Sequence, residues 1–450
     1  MKKLISVVLS VLLLAACFTA CAKPNSGDTA TTNKPETQQT AAPADNQEPE
    51  ATEPVEVVLW HTLTDHHQAA LDGIIADFNA SQDQYTVVAE QQPYSEWDAK
   101  LLQSVSNGIG PDFCTMFPSD AINYMSEGYL YDMTDLVNDP ETGIPDLKEQ
   151  TAAGLYAEIT QWGNESVYLI PVLYGSEVLY YNKTMLDELG LAAPTTWTEL
   201  ENCAKAIYEK YGVAGFGTDS ITDTFQGWVM QAGSQYIDVD AKSVAIDRDI
   251  AIEKLNWFAN GIKEGYFRLV GEDYYFSNPF GSQAVGMYVG SAAGVDYVYA
   301  AIPAEGETGH FEVGCAPIPQ EGPNKYISSW GTTYVCLSKD EAHARGVLAF
   351  LKYLTEKDTL VKWATAFGSA PARKEAIEDP AYAEYAETNI AAKALIAEYD
   401  CIGYLPSIPG AATVRTEIDK MVQSVALGTA DAETAFDNFV AASNAALNDN

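Results

Sequence analysis

Aromatic, acidic and hydroxyl side chains follow several apolar, strand-like segments of this sequence. An aromatic ring can stack on the C–H face of a sugar ring, and carboxylates and hydroxyls can hydrogen-bond to its hydroxyl groups. These residue types therefore predict a binding site for a polar, ring-shaped solute. Three aromatic residues are the predicted stacking platforms, with acids and serines around them: Trp60, Tyr94 and Trp330, then Asp120, Glu177, Ser291 and Ser329.

Three further residues complete the predicted ligand-binding set. His61 follows the first apolar segment, Gly175 lies in a central bend, and Arg415 is one of only five arginines. An arginine suits an anionic ligand, but a structural ion pair with Glu417 or Asp419 remains an equal alternative. Any one of the aromatic residues, taken singly, could instead belong to a core.

The sequence carries no strong catalytic or metal-binding motif. GxSxG and HExxH are both missing, and the glycine-rich turns lack the Lys-Ser/Thr of a phosphate-binding loop. His66 and His67 stand beside Asp65, but adjacent side chains on a helix point about 100° apart. A polar helix start is therefore favoured over zinc, and we predict no metal and no cofactor.

Length and charge narrow the class of protein. A chain of 450 residues exceeds what one hydrophobic core usually serves, so we expect two domains. The formal net charge of −38 makes nucleic acid or an anionic membrane face an unfavourable partner. The five cysteines beyond residue 21 are odd in number and widely spaced, so they form no disulfide framework. A single bridge between Cys315 and Cys336 stays open.

The N-terminal segment is typical of an exported protein. Residues 1–20 combine Lys2 and Lys3 with a short apolar run and small residues, as in a signal peptide. Cys17 and Cys21 each follow small residues and resemble the acylated cysteine of a lipobox. Residues 22–54 are rich in Thr, Gln, Pro and Ala, which predicts a disordered tether.

From residue 55 onward, apolar strands alternate with amphipathic helices. Val55–Trp60 is an apolar run, and the next apolar positions, Leu71, Ile74, Ile75 and Phe78, have helical spacing. This alternation predicts doubly wound α/β sheets. Two strand-like pieces, Tyr168–Leu173 and Val178–Tyr181, flank Gly175-Ser176-Glu177, as expected of a strand that leaves one lobe and enters another.

The hinge segment ends in Tyr181-Asn182-Lys183 and resembles the lobe-crossing strand of the family-1 extracellular solute-binding proteins. Leu59-Trp60-His61-Thr62, Gly110-Pro111-Asp112 and Thr196-Trp197-Thr198-Glu199-Leu200 are also similar to segments of that family. The resemblance implies an α/β, two-lobed, type II periplasmic-binding-protein-like fold. Each lobe is then a doubly wound mixed sheet, and the ligand cleft lies between the lobes.

The resemblance also implies domain boundaries. Lobe 1 is expected at 55–171 plus 318–355 and lobe 2 at 176–314 plus 360–450. The hinge strands are then expected near 171–178, 314–319 and 355–360.

The function implied by the resemblance is capture of a sugar or oligosaccharide for an ABC importer. The expected partners are the solute, the permease subunits and, through a lipid, the outer face of the cytoplasmic membrane. We expect a monomeric binding protein and no enzyme. In the glycerol-3-phosphate branch of the family, an arginine comparable to Arg415 meets the phosphate. A secreted glycosidase and a ligand-presenting sensor are the alternatives.

Overall fold

The computed structural model describes residues 54–337 and 340–449. The predicted signal peptide, both candidate lipobox cysteines and nearly all of the predicted tether lie outside these residues. In the described part, every helix is too short or too polar to cross a bilayer.

Fourteen strands and nineteen helices alternate along the described chain. The strands are β1 Val55–His61, β2 Tyr85–Gln91, β3 Phe113–Thr115, β4 Leu169–Tyr174, β5 Glu177–Asn182, β6 Ala214–Thr218, β7 Ile237–Asp238, β8 Ser243–Val244, β9 Val285–Ser291, β10 Val313–Ala316, β11 Ile327–Ser328, β12 Thr332–Cys336, β13 Ala370–Pro371 and β14 Ile402–Gly403.

The helices lie between and after these strands. They are α1 Asp65–Ser81, α2 Trp97–Ser106, α3 Pro118–Ser126, α4 Thr134–Val137, α5 Leu147–Gln150, α6 Ala153–Ile159, α7 Lys183–Leu189, α8 Trp197–Tyr211, α9 Ile221–Gln231, α10 Arg248–Glu264, α11 Ser277–Gly281, α12 Val295–Ala301, α13 Glu341–Thr355, α14 Lys357–Phe367, α15 Lys374–Ile377, α16 Pro380–Thr388, α17 Ile390–Glu398, α18 Ala411–Ala426 and α19 Ala432–Asn448.

The first large sheet has six strands in the order β13-β4-β12-β3-β1-β2. β1 runs parallel to β2 and β3, whereas β12 runs antiparallel to β3 and β4. Helix α1 covers this sheet through Leu71, Ile74, Ile75 and Phe78, and all four are buried. The helical spacing of these residues therefore predicted the buried face of the helix.

The second large sheet has four strands in the order β10-β5-β9-β6. β9 is antiparallel to β5 and parallel to β6, so this sheet is also mixed. Helix α8, which packs against β6, is capped by Thr196, whose hydroxyl accepts a hydrogen bond from the Glu199 backbone N–H at 3.1 Å. The predicted α/β fold with mixed sheets is confirmed.

Only Gly175 and Ser176 separate β4 of the first sheet from β5 of the second. Gly175 exchanges two backbone hydrogen bonds with Trp330, with N···O distances of 3.1 and 2.7 Å. A Cβ atom at Gly175 would lie 3.0 Å from the Trp330 carbonyl oxygen, so a side chain there is crowded. Glycine allows the two crossing segments to run side by side at this point.

The chain after residue 355 differs from the predicted boundaries. We expected residues 360–450 in the second lobe with a crossing near 355–360, but α14 packs against α1 and α13, and β13 pairs with β4 of the first sheet. The buried side chains of Trp363 and Tyr382 lie in the core of the first sheet. Helical periodicity tells which face is buried but not which sheet covers it. α18 and α19 pack on the helices of the second sheet, and α17 contacts its strands β10 and β5.

The other predicted crossing, near 314–319, follows β10 of the second sheet, and the chain re-enters the first sheet at β12. Cys315 lies in β10 and Cys336 in β12, on different sheets. Between the large sheets, β11 and β14 pair in parallel as a short ribbon. An isolated β-bridge between Ser176 and Ser329 joins the residue after β11 to the crossing between β4 and β5.

Candidate ligand-binding site

Two adjoining cavities lie where the strands of the first sheet end. The first has a volume of about 510 Å³ and is lined by residues that follow β1, β2 and β3, together with the start of β12 and the end of α14. Ligands of open α/β sheets bind at the carboxyl ends of parallel strands. Its polar and aromatic lining includes His61, Tyr94, Trp97, Asp98, Phe117, Asp120, Tyr124, Trp363 and Phe367.

The second cavity, of about 390 Å³, is lined by α3, by the segment 328–331 and by the start of α18. Phe117, Asp120, Gly331 and Thr333 line both cavities, so the two volumes adjoin. α18 packs on α9 and α10, which cover the second sheet, whereas α3 directly follows β3 of the first sheet. Side chains associated with both sheets therefore face the second cavity.

Trp330 provides an accessible aromatic ring in the second cavity. Its side chain is 42% exposed, which is far more than the core tryptophans Trp228 and Trp363. The Phe117 ring meets the indole edge to face, with the centroids 6.2 Å apart. The Arg415 guanidinium lies 4.8 Å from the centre of the indole ring. The ring is therefore held in place by its neighbours and still open to a ligand.

Arg415 forms a two-pronged ion pair with Asp223. The two N···O distances are 2.7 and 3.0 Å, and the Asp223 side chain is 4% exposed. The partners that we considered from the sequence, Glu417 and Asp419, instead contact Lys420 and Gln423. Asp223 lies 192 residues before Arg415, so its role could not be inferred from local spacing.

Asp223 is held in place by the start of α9. The Ser220 hydroxyl caps this helix by accepting a hydrogen bond from the Asp223 backbone N–H, and it donates to the Asp223 carboxylate at 2.5 Å. Side-chain oxygens are favoured partners for the free N–H groups of a helix start. The same cap that begins the helix therefore orients the carboxylate towards Arg415.

The buried hydroxyl groups at the second cavity that lack a hydrogen-bond partner among the described residues include the Tyr236 Oη, on a side chain that is 3% exposed, and the Ser329 Oγ. Leaving a buried hydroxyl group without a hydrogen-bond partner costs free energy, so these groups are candidate contacts for a bound solute. The pair gives the cavity wall two positions that can both donate to and accept from a solute hydroxyl.

Two carboxyl groups of the lining have raised pKa values. Burial, together with the nearby Asp98 carboxylate, raises the pKa of Asp120. Burial raises the pKa of Glu158, on α6, to about 8. A protonated carboxyl group can donate as well as accept a hydrogen bond. Glu158 and Tyr236 are residues that the sequence analysis did not identify, because neither follows a strand of the predicted pattern.

A group of buried acids lies behind the cavities, at the crossing between the sheets. Glu177 is 7% exposed, and burial and the Asp223 and Asp219 carboxylates raise its pKa well above the usual range. Glu398 is 1% exposed, and its carboxylate accepts a hydrogen bond from the Ile318 backbone N–H at 2.5 Å. Burial raises the pKa of Glu398 to about 8. Glu177 faces a void of only about 10 Å³, so it is not directly open to a solute.

Two more of the predicted residues, Tyr94 and His61, line the first cavity. Tyr94 is 81% exposed at its mouth, whereas His61 is nearly buried. The His61 Nδ1 accepts a hydrogen bond from the Leu63 backbone N–H at 3.1 Å, which places the proton of the neutral ring on Nε2. Burial lowers the pKa of His61, so the neutral form is favoured. Nε2 is then a donor for the cavity.

The remaining predicted residues do not line the two large cavities. The Trp60 indole N–H donates to the Glu90 carboxylate at 2.7 Å, and the Lys100 ammonium lies over its ring, so its role is to pack β1 on β2. The exposed Ser291 hydroxyl accepts from the Ala293 backbone N–H. Gly175 belongs to the crossing. The structure thus brings together His61, Tyr94, Asp120, Ser329, Trp330 and Arg415.

The fold and the site define a class of protein: two α/β sheets, joined by short crossings, with an aromatic and polar binding cleft at the strand ends. Residues 73–391 match the family model described as bacterial extracellular solute-binding protein. The chain belongs to this family, which confirms the resemblance seen in the sequence. It is accordingly a binding protein rather than an enzyme.

Individual relatives agree with this assignment. The chain is 23% identical over 415 residues to the sn-glycerol-3-phosphate-binding periplasmic protein of Agrobacterium fabrum, with 87% of this chain and 92% of that protein covered. A solved structure of the cyclic alpha-maltosyl-1,6-maltose binding protein from Arthrobacter globiformis has a TM-score of 0.77 at 22% identity and covers 88% of this chain and 100% of that one. The sugar-binding protein MalE from Xanthomonas citri has a TM-score of 0.75 at 17% identity, covering 87% and 97%. At these identities the solved structures establish the fold alone.

Proposed function

We propose that this solute-binding protein captures a sugar or oligosaccharide and delivers it to the transmembrane subunits of an ABC importer. The observation that supports this proposal is the open indole of Trp330 beside unpartnered hydroxyls and protonatable carboxyls in one cavity. A sugar needs this combination, because it presents an apolar ring face and many hydroxyl groups. One structural relative is named for binding cyclic alpha-maltosyl-1,6-maltose and another is named a sugar-binding protein, which agrees with this proposal.

The proposed mechanism is closure of two lobes around the solute. We assign residues 55–174 and 332–401 to lobe 1 and residues 177–316 and 411–449 to lobe 2. The first connection between them is only Gly175 and Ser176, and the other two contain the short strands β11 and β14; such segments can serve as hinges. Closure would bring Trp330 and Arg415 nearer to the residues of the first cavity and exclude water from the solute. The closed surface would then be the one that a permease recognises.

Isothermal titration calorimetry against neutral saccharides tests the proposal. We expect a micromolar dissociation constant for at least one of maltose, maltotriose, raffinose and arabinotriose, and a smaller radius of gyration by X-ray scattering when that sugar is bound. A chain with a normal melting transition that gives no heat with any of a broad set of mono- and oligosaccharides would contradict sugar capture.

We further propose that the protein is a lipoprotein held on the outer face of the cytoplasmic membrane. The proposal rests on the sequence around Cys17 and Cys21 and on the apolar run that precedes them. More than one acyl chain gives stable anchoring. Labelling of cells with a palmitate analogue should mark the protein, and either Cys17→Ser or Cys21→Ser alone should abolish the label. Label that persists when both cysteines are replaced would exclude this anchor.

A further inference from the structure

The only Lys or Arg among the described residues that line the two large cavities is Arg415, and its charge is already matched. Both terminal nitrogens of its guanidinium contact the Asp223 carboxylate, and one face of the group lies against Trp330. A guanidinium binds a phosphate with the same pair of nitrogens that it uses for a carboxylate. A phosphate would therefore have to displace Asp223, or else use the remaining N–H groups of a guanidinium whose charge Asp223 already balances.

The structure gives Asp223 little freedom to leave. Its side chain is 4% exposed, and the Ser220 hydroxyl holds the same carboxylate. Separating a buried ion pair leaves an uncompensated charge, which is strongly unfavourable. Glu177 lies next to Asp223. If a ligand drew Arg415 away from Asp223, these two buried carboxyl groups would be left side by side without a cation.

The rest of the cleft adds negative rather than positive charge. The Asp98 and Asp120 carboxylates line the first cavity, and Asp120 also lines the second. A phosphate or carboxylate placed there would meet like charges at close range, where the low dielectric strengthens repulsion. A neutral hydroxyl-rich solute avoids this cost and can satisfy Tyr236 and Ser329.

We propose that Asp223 is a specificity-determining residue which neutralises Arg415, so that this receptor rejects phosphorylated solutes and takes uncharged ones. The inference rests on the proposed function, because it names the charge class of the solute for the same cleft. The discriminating solute is sn-glycerol-3-phosphate, for which two sequence relatives are named. In this chain Arg415 positions Trp330 and the cavity wall rather than binding an anion.

The test is isothermal titration calorimetry of the purified parent chain and of its Asp223→Asn variant. Each is titrated with sn-glycerol-3-phosphate and with inorganic phosphate. We expect the parent chain to give no saturable heat with either anion. Asp223→Asn keeps the shape of the side chain but removes its charge, so it should bind sn-glycerol-3-phosphate at least about tenfold more tightly than the parent. Added salt should weaken this new binding, since it depends on charge.

Asp219→Asn is the matched control. The Asp219 carboxylate also lies beside Glu177, but it accepts from the Phe276 backbone N–H at 2.6 Å and does not pair with Arg415. This variant should gain no affinity for either anion. Micromolar binding of sn-glycerol-3-phosphate by the parent chain would overturn the inference, and so would a folded Asp223→Asn variant without any gain.

The same titrations separate this inference from the proposed function. If the parent chain binds neither anion and no saccharide of the panel, sugar capture is wrong. The anion affinity of Asp223→Asn then still tests whether Asp223 excludes anions from the cleft. If the parent chain binds both a neutral saccharide and sn-glycerol-3-phosphate, sugar capture stands and the role of Asp223 is refuted.

Discussion

Trp330→Ala is expected to weaken saccharide binding by at least about tenfold, or ~1.4 kcal/mol, while the melting temperature changes little. The indole is 42% exposed, and its ring meets Phe117 edge to face and the Arg415 guanidinium, so its removal opens no void in a core. The backbone hydrogen bonds between residue 330 and Gly175 persist in the variant, because alanine keeps the same N–H and carbonyl groups. The loss should therefore appear in affinity for the saccharide found in the panel.

Trp330→Phe is the matched control for this prediction. A phenyl ring retains a stacking face, so most of the affinity should return, although the smaller ring covers less of the sugar. Calorimetry gives the affinities and a thermal scan gives the stabilities. A lower melting temperature with unchanged affinity would show that Trp330 supports the fold and does not contact the solute.

Glu398→Gln should strongly reduce the pH dependence of stability. The carboxyl is almost fully buried, and burial raises its pKa from 4.5 to about 8 in the folded chain. A raised pKa means that the stabilising contribution of the proton is complete below about pH 4.5 and is lost as pH rises to about 8. Over that window the parent should lose about 1.4 kcal/mol of unfolding free energy per pH unit relative to the glutamine variant.

The amide of glutamine keeps the acceptor oxygen for the Ile318 backbone N–H and never ionises, so Glu398→Gln should be the more stable chain at pH 8. Denaturant titrations at pH 5 and pH 8 measure the free energies of unfolding of both chains. Glu384→Gln, at an exposed position on α16, should leave the pH dependence as in the parent. Equal slopes for the parent and Glu398→Gln would show that Glu398 ionises freely in the folded chain.

Local patterns in the sequence were sufficient for the elements and for the first crossing. The apolar spacing in α1 predicted its buried face, and the Gly175-Ser176 bend marked the point where the chain changes sheets. Both features depend on neighbours within a few residues, because backbone periodicity and the steric freedom of glycine are local properties. Residues that follow parallel strands were likewise brought together, as with His61 and Asp120.

The placement of α14 and the partners of the site residues could not be predicted in the same way. The sequence of α14 shows an amphipathic helix, and either sheet could have covered its apolar face. Trp60 has the residue type and the position of a stacking platform, yet Glu90 and Lys100 on the neighbouring elements occupy its polar edge and its ring. Which side chains surround a residue depends on strand order, and one sequence does not state that order.

The sequence by itself determined an α/β chain with strand-end aromatic and acidic residues, since composition and short periodicities are sufficient for these features. Only the tertiary structure decided that Arg415 meets Asp223, that Glu158 and Tyr236 face the same cavity, and that Glu398 is buried at the crossing. These contacts join residues far apart in the chain. Their energies come from burial and charge pairing, which exist only after the sheets have come together.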